Sequence, residues 1–328
     1  KASMLDPYPR LIAVKGMGLF STGPSLKEAR IAMDVGINSL SVILGAAKYG
    51  QFKSIPEKEI FKMEYWPLEL AKIKPSSQKL KGHVTVITGG LGAIGYATAK
   101  KFIKEGSEVV IIDVIDEKDN KLDLTGMTYI KCDITKEDKV KDCLKIISQN
   151  FGGVDILVSN AGFAIQEALE TLTKKQLDSS FDLNFFAHHY FVKHGTAIMK
   201  NQNIKGSVIF NISKQAINPG PNFGAYGLPK AALMFLMKQY VVESSKFGIR
   251  FNGVNADRIR SGLLSPEMIA KRAKSRGLSI EAYMAGNLLK EEVKASDVAD
   301  AFYHLAISYK TTASVITVDG GNIESSLR

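Results

Sequence analysis

The chain of 328 residues is poor in the residues that staple or metallate a protein: two cysteines, five histidines and one tryptophan. Cys132 and Cys143 are too few for a disulfide framework and lack metal-ligand partners at useful spacing, so a reducing, cytoplasmic compartment is expected. No apolar run approaches the ~20 residues of a membrane helix. Leu11–Phe20 is broken by Lys15 and two glycines, which makes it neither signal peptide nor anchor. The formal charge of +10 invites a nucleic-acid reading, but the lysines are spread over nearly all segments without a run of five or six. A lysine-rich solvated surface is the plainer account, so neither nucleic acid nor membrane is an expected partner. There is no internal repeat and no low-complexity tract. With 45% of its residues hydrophobic, the chain can bury a substantial core without disulfide or metal. It opens at Lys1 without an initiator methionine, so a processed or truncated piece of something longer is expected.

Residues 1–79 read as a first region. Leu11–Lys15 suggests a short strand, and Leu26–Ala47 a helix with Pro24 as breaker and Ser25 as cap. Ile55–Lys74 is a charged amphipathic stretch holding Pro56 and Trp66, and Lys74–Lys81 has the polarity of a linker. From about residue 80, strand and helix alternate. Strands are expected at His83–Thr88, Glu108–Ile112, Thr128–Cys132, Val154–Ser159, Ser207–Ile212, Arg250–Val254 and Ser314–Val318. Helices are expected at Ala93–Lys104, Lys136–Gln149, Phe223–Phe247 and Ala295–Ile307, with one long helix running through Asn184 to about Lys200. Short apolar runs alternating with longer helical patterns imply an α/β, doubly wound parallel sheet (a Rossmann fold) with a small N-terminal extension.

The first strand of residues 80–328 runs straight into Thr88-Gly89-Gly90-Leu91-Gly92-Ala93-Ile94-Gly95 and then a helix. A pyrophosphate needs backbone N–H groups and the positive end of a helix, and glycine lets the chain approach closely enough. Tight turns also use glycine for steric reasons alone; the position between strand and helix favours dinucleotide binding. Asp113 ends the second strand eighteen residues beyond Gly95. A carboxylate there accepts from the adenosine ribose hydroxyls and repels a 2′-phosphate, which favours NAD over NADP. Downstream, Asn184, Ser213, Tyr226 and Lys230 follow in order, with the tyrosine four residues before the lysine. Alone, such a pair is an exposed helix contact. With the glycine turn on an alternating chain, the set points to oxidation or reduction of a carbonyl with a nicotinamide cofactor.

These features resemble the short-chain dehydrogenase/reductase family over residues 80–328. The family's glycine motif matches Thr88–Gly95, with Ala93 where the middle glycine usually stands. Asp133-Ile134 resembles its pair beside adenine, and Ser159-Asn160-Ala161-Gly162 its Asn-Asn-Ala-Gly motif. The resemblance implies cofactor contacts at Gly89, Leu91, Gly92, Ile94, Gly95, Asp113, Asp133, Ile134, Asn160, Ala161 and Gly162, and also at Tyr226, Lys230, Ile259 and Ser261. It makes Asn184, Ser213, Tyr226 and Lys230 the catalytic tetrad. A phenol with a free pKa near ~10 stays protonated at neutral pH and so is no base there; the Lys230 ammonium and a positive nicotinamide ring would favour its phenolate. Tyr226 then takes the hydroxyl proton, Ser213 holds the substrate oxygen, Lys230 also binds the nicotinamide ribose, and Asn184 fixes a proton-passing water. A homotetramer or homodimer built on the helices around Asn184 and Tyr226 is implied as well. The family's Pro-Gly after the sixth strand is replaced by Asn255–Gly262, where Asp257, Arg258 and Arg260 either fix a polar substrate or pair with each other.

A closer resemblance, to the dehydrogenase half of bifunctional rhamnulose-1-phosphate aldolase/short-chain dehydrogenases, rests on Asn255–Leu264, Tyr283–Leu289 and Val318–Asn322. Gly16–Phe20, Lys27–Arg30 and Met63–Trp66 resemble the tail of the aldolase half. This implies oxidation of lactaldehyde to lactate in rhamnose breakdown, and an aldolase region missing from this chain. Residues 1–79 contain neither histidine nor cysteine, so aldolase metal chemistry is not expected in them. His188, His189 and His194 read as packing or interface residues, and no metal is expected. Neither cysteine is placed near Tyr226 to act as an aldehyde-oxidising nucleophile, so an aldehyde would react as its hydrate. A sugar or sugar-phosphate dehydrogenase is one alternative. A non-catalytic NAD-binding scaffold is the other, distinguished by NAD binding without turnover.

Overall fold

The computed structural model describes residues 4–5, 7–71 and 77–322. Residues 72–76, which include the end of the expected amphipathic stretch and the start of the expected linker, lie outside the described residues. The chain divides into two compact units, residues 1–82 and 83–328.

In the first unit, strands β1 (Leu11–Val14) and β2 (Gly18–Ser21) form an antiparallel hairpin, with Leu11 opposite Ser21 and Val14 opposite Gly18. Only β1 was expected; a four-residue strand opening on glycine carries too little pattern. Helix α1 (Leu26–Ala46) starts where Ser25 accepts a hydrogen bond from the Glu28 amide at 3.1 Å. It buries Gly36 alone, and a Cβ there would meet the Leu11 and Leu19 side chains, so the helix seats on the hairpin at this glycine. By length and composition alone, α1 is apolar enough to cross a membrane. Counting uninterrupted runs missed this because Asp34 and Asn38 break the stretch. Two short helices follow, α2 (Glu57–Glu64) and α3 (Pro67–Leu70).

The second unit is a seven-stranded parallel sheet: β3 (Val84–Thr88), β4 (Glu108–Asp113), β5 (Met127–Lys131), β6 (Ile156–Ser159), β7 (Ser207–Asn211), β8 (Arg250–Ala256) and β9 (Val315–Val318). The spatial order is β5-β4-β3-β6-β7-β8-β9. Val86 pairs with Val110 on one side and Leu157 on the other, so the winding reverses between β3 and β6. That reversal opens a crevice at the carboxyl ends of the strands, where open α/β sheets bind ligands.

Helices α4 (Ala93–Lys104), α5 (Glu137–Phe151), α6 (Lys174–Phe181), α7 (Ala187–Gln202), α8 (Gly224–Ser244), α9 (Pro266–Ser275), α10 (Ile280–Met284) and α11 (Ala295–Ile307) complete the unit. Leu144 and Ile147 of α5, Phe191 of α7 and Leu233 of α8 pack into one cluster with Val86, Val110, Leu157 and Phe210 of the sheet. Each such side chain contributes roughly 1.5–3 kcal/mol of burial. Helix α11 packs on α4, with the Phe102 and Tyr303 rings edge to face at 6.3 Å and the Tyr303 hydroxyl donating to Glu105 at 2.9 Å.

The single long helix expected through Asn184 is interrupted. A π turn over Asp182–Phe186 separates α6 from α7 and contains Asn184. Helices α9 and α10 were not expected, yet their starts follow ordinary capping: Ser265 accepts from the Met268 amide and Ser279 from the Ala282 amide.

Candidate active site

The crevice holds a groove of about 820 Å³. Gly89, Leu91, Gly92 and Ile94 of the glycine turn line it, together with Asp113, Asp133 and Ile134. Asn160, Ala161, Gly162 and Ser261 line the rest. Gly89 has φ +64°, and a Cβ on it would lie 2.8 Å from Ala161 Cα. A Cβ on Gly95 would come 2.1 Å from the Gly89 carbonyl, so Gly95 lets α4 close on the turn without itself lining the groove. Gly92 caps α4 with no side-chain hydrogen bond, leaving the groove beside helix amides that no side chain has capped. A dinucleotide fits this donor set and size.

Each expected contact at the ends of the strands has a local cause. Asp113 Oδ2 accepts from the Leu91 amide at 3.1 Å and Oδ1 from the Val114 amide at 2.8 Å, which fixes the carboxylate at the groove edge. Asp133 is turned by Thr135, whose hydroxyl and amide donate to Oδ1 at 2.7 and 3.0 Å. Asn160 Nδ2 donates to the carbonyls of Thr88 (3.0 Å) and Gly89 (3.2 Å), tying β6 to the glycine turn.

A second, smaller cleft of about 130 Å³ is lined by Ser213, Tyr226 and Ile259. It shares Ile94, Asn211, Ser261 and Leu263 with the large groove. Lys230 and Asn184 line neither; they stand behind it, 1% and 0% exposed. Lys230 Nζ donates to the Asn211 carbonyl at 2.9 Å and lies 5.8 Å from the centre of the Tyr226 ring. Asn211 Nδ2 donates to Asn160 Oδ1 at 2.8 Å, so one polar chain runs from the glycine turn to the lysine. Sequence reasoning passed over Asn211, although a polar residue ending a buried strand two positions before Ser213 is a legible signal.

Asn184 is positioned through a helix defect. Pro229 lies inside α8 and has no N–H for the Ala225 carbonyl one turn back. The Ser180 hydroxyl donates to that carbonyl at 2.7 Å and accepts from Asn184 Nδ2 at 3.0 Å. Asn184 Nδ2 also donates to the Phe163 carbonyl at 2.9 Å.

The Lys230 ammonium and the positive nicotinamide ring together were expected to favour the Tyr226 phenolate; the protein's own groups, without the ring, act the other way. Burial instead pushes the phenol up to about 12, against the lowering effect of its hydrogen bond with Ser213. Burial also pulls Lys230 down to about 7. Both groups lose their water, and desolvation penalises each charged form.

Within the Asp257–Arg260 segment only Asp257 and Arg258 pair with each other; the remaining charged contacts come from outside it. Asp257 accepts from Lys214 Nζ at 3.1 Å and lies 3.5 Å from Arg258 Nε. Arg260 forks onto Glu292 at 2.6 and 3.1 Å. Arg258 has φ +54°, a left-handed backbone held by its Nη1 bonds to the Tyr283 and Gly286 carbonyls. The three helix histidines part company: His188 bonds Ser159, His189 bonds Tyr240 and His194 pairs with Glu137.

Residues 90–322 match the family described as enoyl-(acyl carrier protein) reductase, and residues 1–73 match aldolase class II, second domain. The chain is 32% identical to the uncharacterized oxidoreductase YuxG of Bacillus subtilis (strain 168), an alignment covering 97% of this chain and 49% of that protein. It therefore spans about half the length of that relative. Identity is 31% with the short chain aldehyde dehydrogenase 1 of Euphorbia lathyris, over 75% of this chain and 90% of that one. The ligand-free aldohexose dehydrogenase of Thermoplasma acidophilum is similar at a TM-score of 0.64 and 26% identity, over 73% of this chain and 93% of that one.

Proposed function

The chain belongs to the short-chain dehydrogenase/reductase family, and from that premise we propose that it oxidises a small hydroxyaldehyde or diol with NAD, with lactaldehyde to lactate in rhamnose breakdown as the first choice. The observation that carries this reading is Tyr226 and Ser213 facing one small cleft that opens into a groove of dinucleotide size. The cleft suits a substrate of a few heavy atoms. The aldolase class II match over residues 1–73 supports a place beside aldehyde-producing chemistry, with an aldolase region as partner. Residues 1–79 serve as its docking segment and residues 80–328 as the catalytic domain.

When bound, the nicotinamide supplies a hydride acceptor and a positive charge beside the phenol. Tyr226 takes the O–H proton of the aldehyde hydrate as hydride leaves its carbon, and Ser213 donates to the same oxygen. Lys230, titrating near 7, is suited to passing that proton on toward Asn184. Asp113 selects NAD by repelling a 2′-phosphate. The exposed apolar residues of α8 (Leu228, Phe235 and Val242) support a homotetramer or dimer.

A second reading, oxidation of a sugar, draws on the likeness to the aldohexose dehydrogenase. Steady-state kinetics separate the cases. Lactaldehyde with NAD should give the highest specificity constant among lactaldehyde, glucose and dihydroxyacetone phosphate, each tried with NAD and NADP. A phosphorylated substrate ahead by ~100-fold would move the activity to sugar phosphates.

A further inference from the structure

The small cleft beside Tyr226 carries a charge imbalance that hydride transfer does not use. Lys214, Arg258 and Arg272 line it against a single carboxylate, Asp257. That carboxylate is already occupied by Lys214, by Arg258 and by Asn322 Nδ2, which donates to it at 3.1 Å. Arg258 is further held by the carbonyls of Tyr283 and Gly286 at 3.0 and 2.9 Å. Arg272 has no such partner. From α9, its guanidinium carbon lies 5.0 Å from the centre of the Phe223 ring, another wall of the cleft. Among the described residues, no carboxylate, carbonyl or hydroxyl accepts from that guanidinium.

A half-buried arginine with its guanidinium over an aromatic ring keeps its fork of N–H donors available, and that fork matches a carboxylate in plane. We propose that Arg272 anchors a carboxylate of the substrate, so that the site also oxidises small hydroxy acids whose carbinol oxygen is held by Ser213 and Tyr226. The proposal rests on the dehydrogenase reading above. In the step, the carbinol C–H breaks and its hydride passes to NAD. The O–H proton goes to Tyr226, the carbon becomes a ketone, and the carboxylate stays ionised against Arg272. A phosphate shares this recognition chemistry, but a cleft of about 130 Å³ favours the smaller anion.

The test compares lactate with propane-1,2-diol, and 3-hydroxybutyrate with butane-1,3-diol, pairs that differ only in carboxylate against hydroxymethyl. With NAD, at least one acid should exceed its diol by ~10-fold or more in kcat/KM. R272Q should bring that ratio to about one through the KM of the acid, and R272K should restore part of it. Equal use of acid and diol by the unmodified chain, or an equal fall on both in R272Q, overturns the proposal. So does a preference for glycerol 3-phosphate over both acids that R272Q abolishes, which would assign the anchor to phosphate. A readout free of turnover is labelling by phenylglyoxal, followed at Arg272 by mass spectrometry. 3-Hydroxybutyrate should slow that labelling several-fold and butane-1,3-diol should not. Protection without oxidation of any alcohol would keep the anchor and sink the dehydrogenase reading; diol oxidation without protection or acid preference would sink the anchor alone.

Discussion

Helix α11 of the second unit, thirteen residues long, buries Val298, Ala299, Ala301, Phe302, Leu305 and Ala306. Helix α1 of the first unit, with twenty-one, buries Gly36 alone and leaves Ile31, Val35, Ile37, Val42 and Leu44 more than half exposed. Both helices are rich in apolar residues; they differ in what they have to pack on. Helix α11 lies on α4 and a sheet whose β3 is buried along its whole length. Helix α1 packs on a hairpin of two four-residue strands, too small to cover it and marginal as a structure by itself. The second unit thus closes its own core and holds every residue of the candidate site, from Gly89 to Arg272. The first unit leaves the apolar side chains of α1 largely exposed.

The largest effect expected to sharpen this contrast is inside the second unit. Tyr226→Phe should lower turnover by about 10³–10⁴ while NAD affinity, measured by calorimetry, stays within a few-fold. Residual turnover within tenfold of the unmodified chain would take Tyr226 out of the chemistry. Because burial pushes that phenol up to about 12 and catalysis needs its phenolate, alcohol oxidation by the unmodified chain should rise with pH from 7 to 10.

Lys230→Met should abolish turnover yet stabilise the fold at neutral pH. The folded lysine titrates near 7 and the unfolded one near 10.5, so between those values only the unfolded chain binds the proton. The unmodified protein therefore gains stability as pH rises through that window, and below it carries the full penalty. The variant should lead by on the order of 4 kcal/mol at pH 7, with the gap closing toward pH 10.5. Urea midpoints that keep a constant difference across that range would show that Lys230 is not desolvated.

Asp113→Ala should narrow the preference for NAD over NADP by about tenfold or more in kcat/KM. An unmodified chain that uses both cofactors equally would remove Asp113 from the ribose. The smallest effect should come from the first unit. A chain beginning at His83 should keep its turnover within about threefold and its oligomeric state by sedimentation, since the site and the apolar face of α8 both lie beyond that point. A monomeric or inactive product would break the contrast, making residues 1–82 part of the working enzyme.

The elements that were legible in the sequence are those written in local windows. Ala93–Lys104 and Ala295–Ile307 were read to the residue because helical periodicity and caps lie within a few positions of each other. The glycine turn and the order of Asn184, Ser213, Tyr226 and Lys230 are also linear patterns. Helices α9 and α10 belonged in the same class, since Ser265-Pro266 and Ser279 are ordinary helix starts, and they were passed over. What no window contains is the company a side chain keeps. Lys230 meets the Asn211 carbonyl, Ser180 reaches the carbonyl that Pro229 leaves open, and Asn322 joins Asp257 from 65 positions away. The sequence alone determined the doubly wound sheet and the identity of the chemical groups, because periodicity and turn geometry are short-range. Only the tertiary structure decided that burial opposes the charges of Tyr226 and Lys230, that Arg258 and Arg260 are taken, and that Arg272 is not, because desolvation and pairing depend on neighbours brought together by packing.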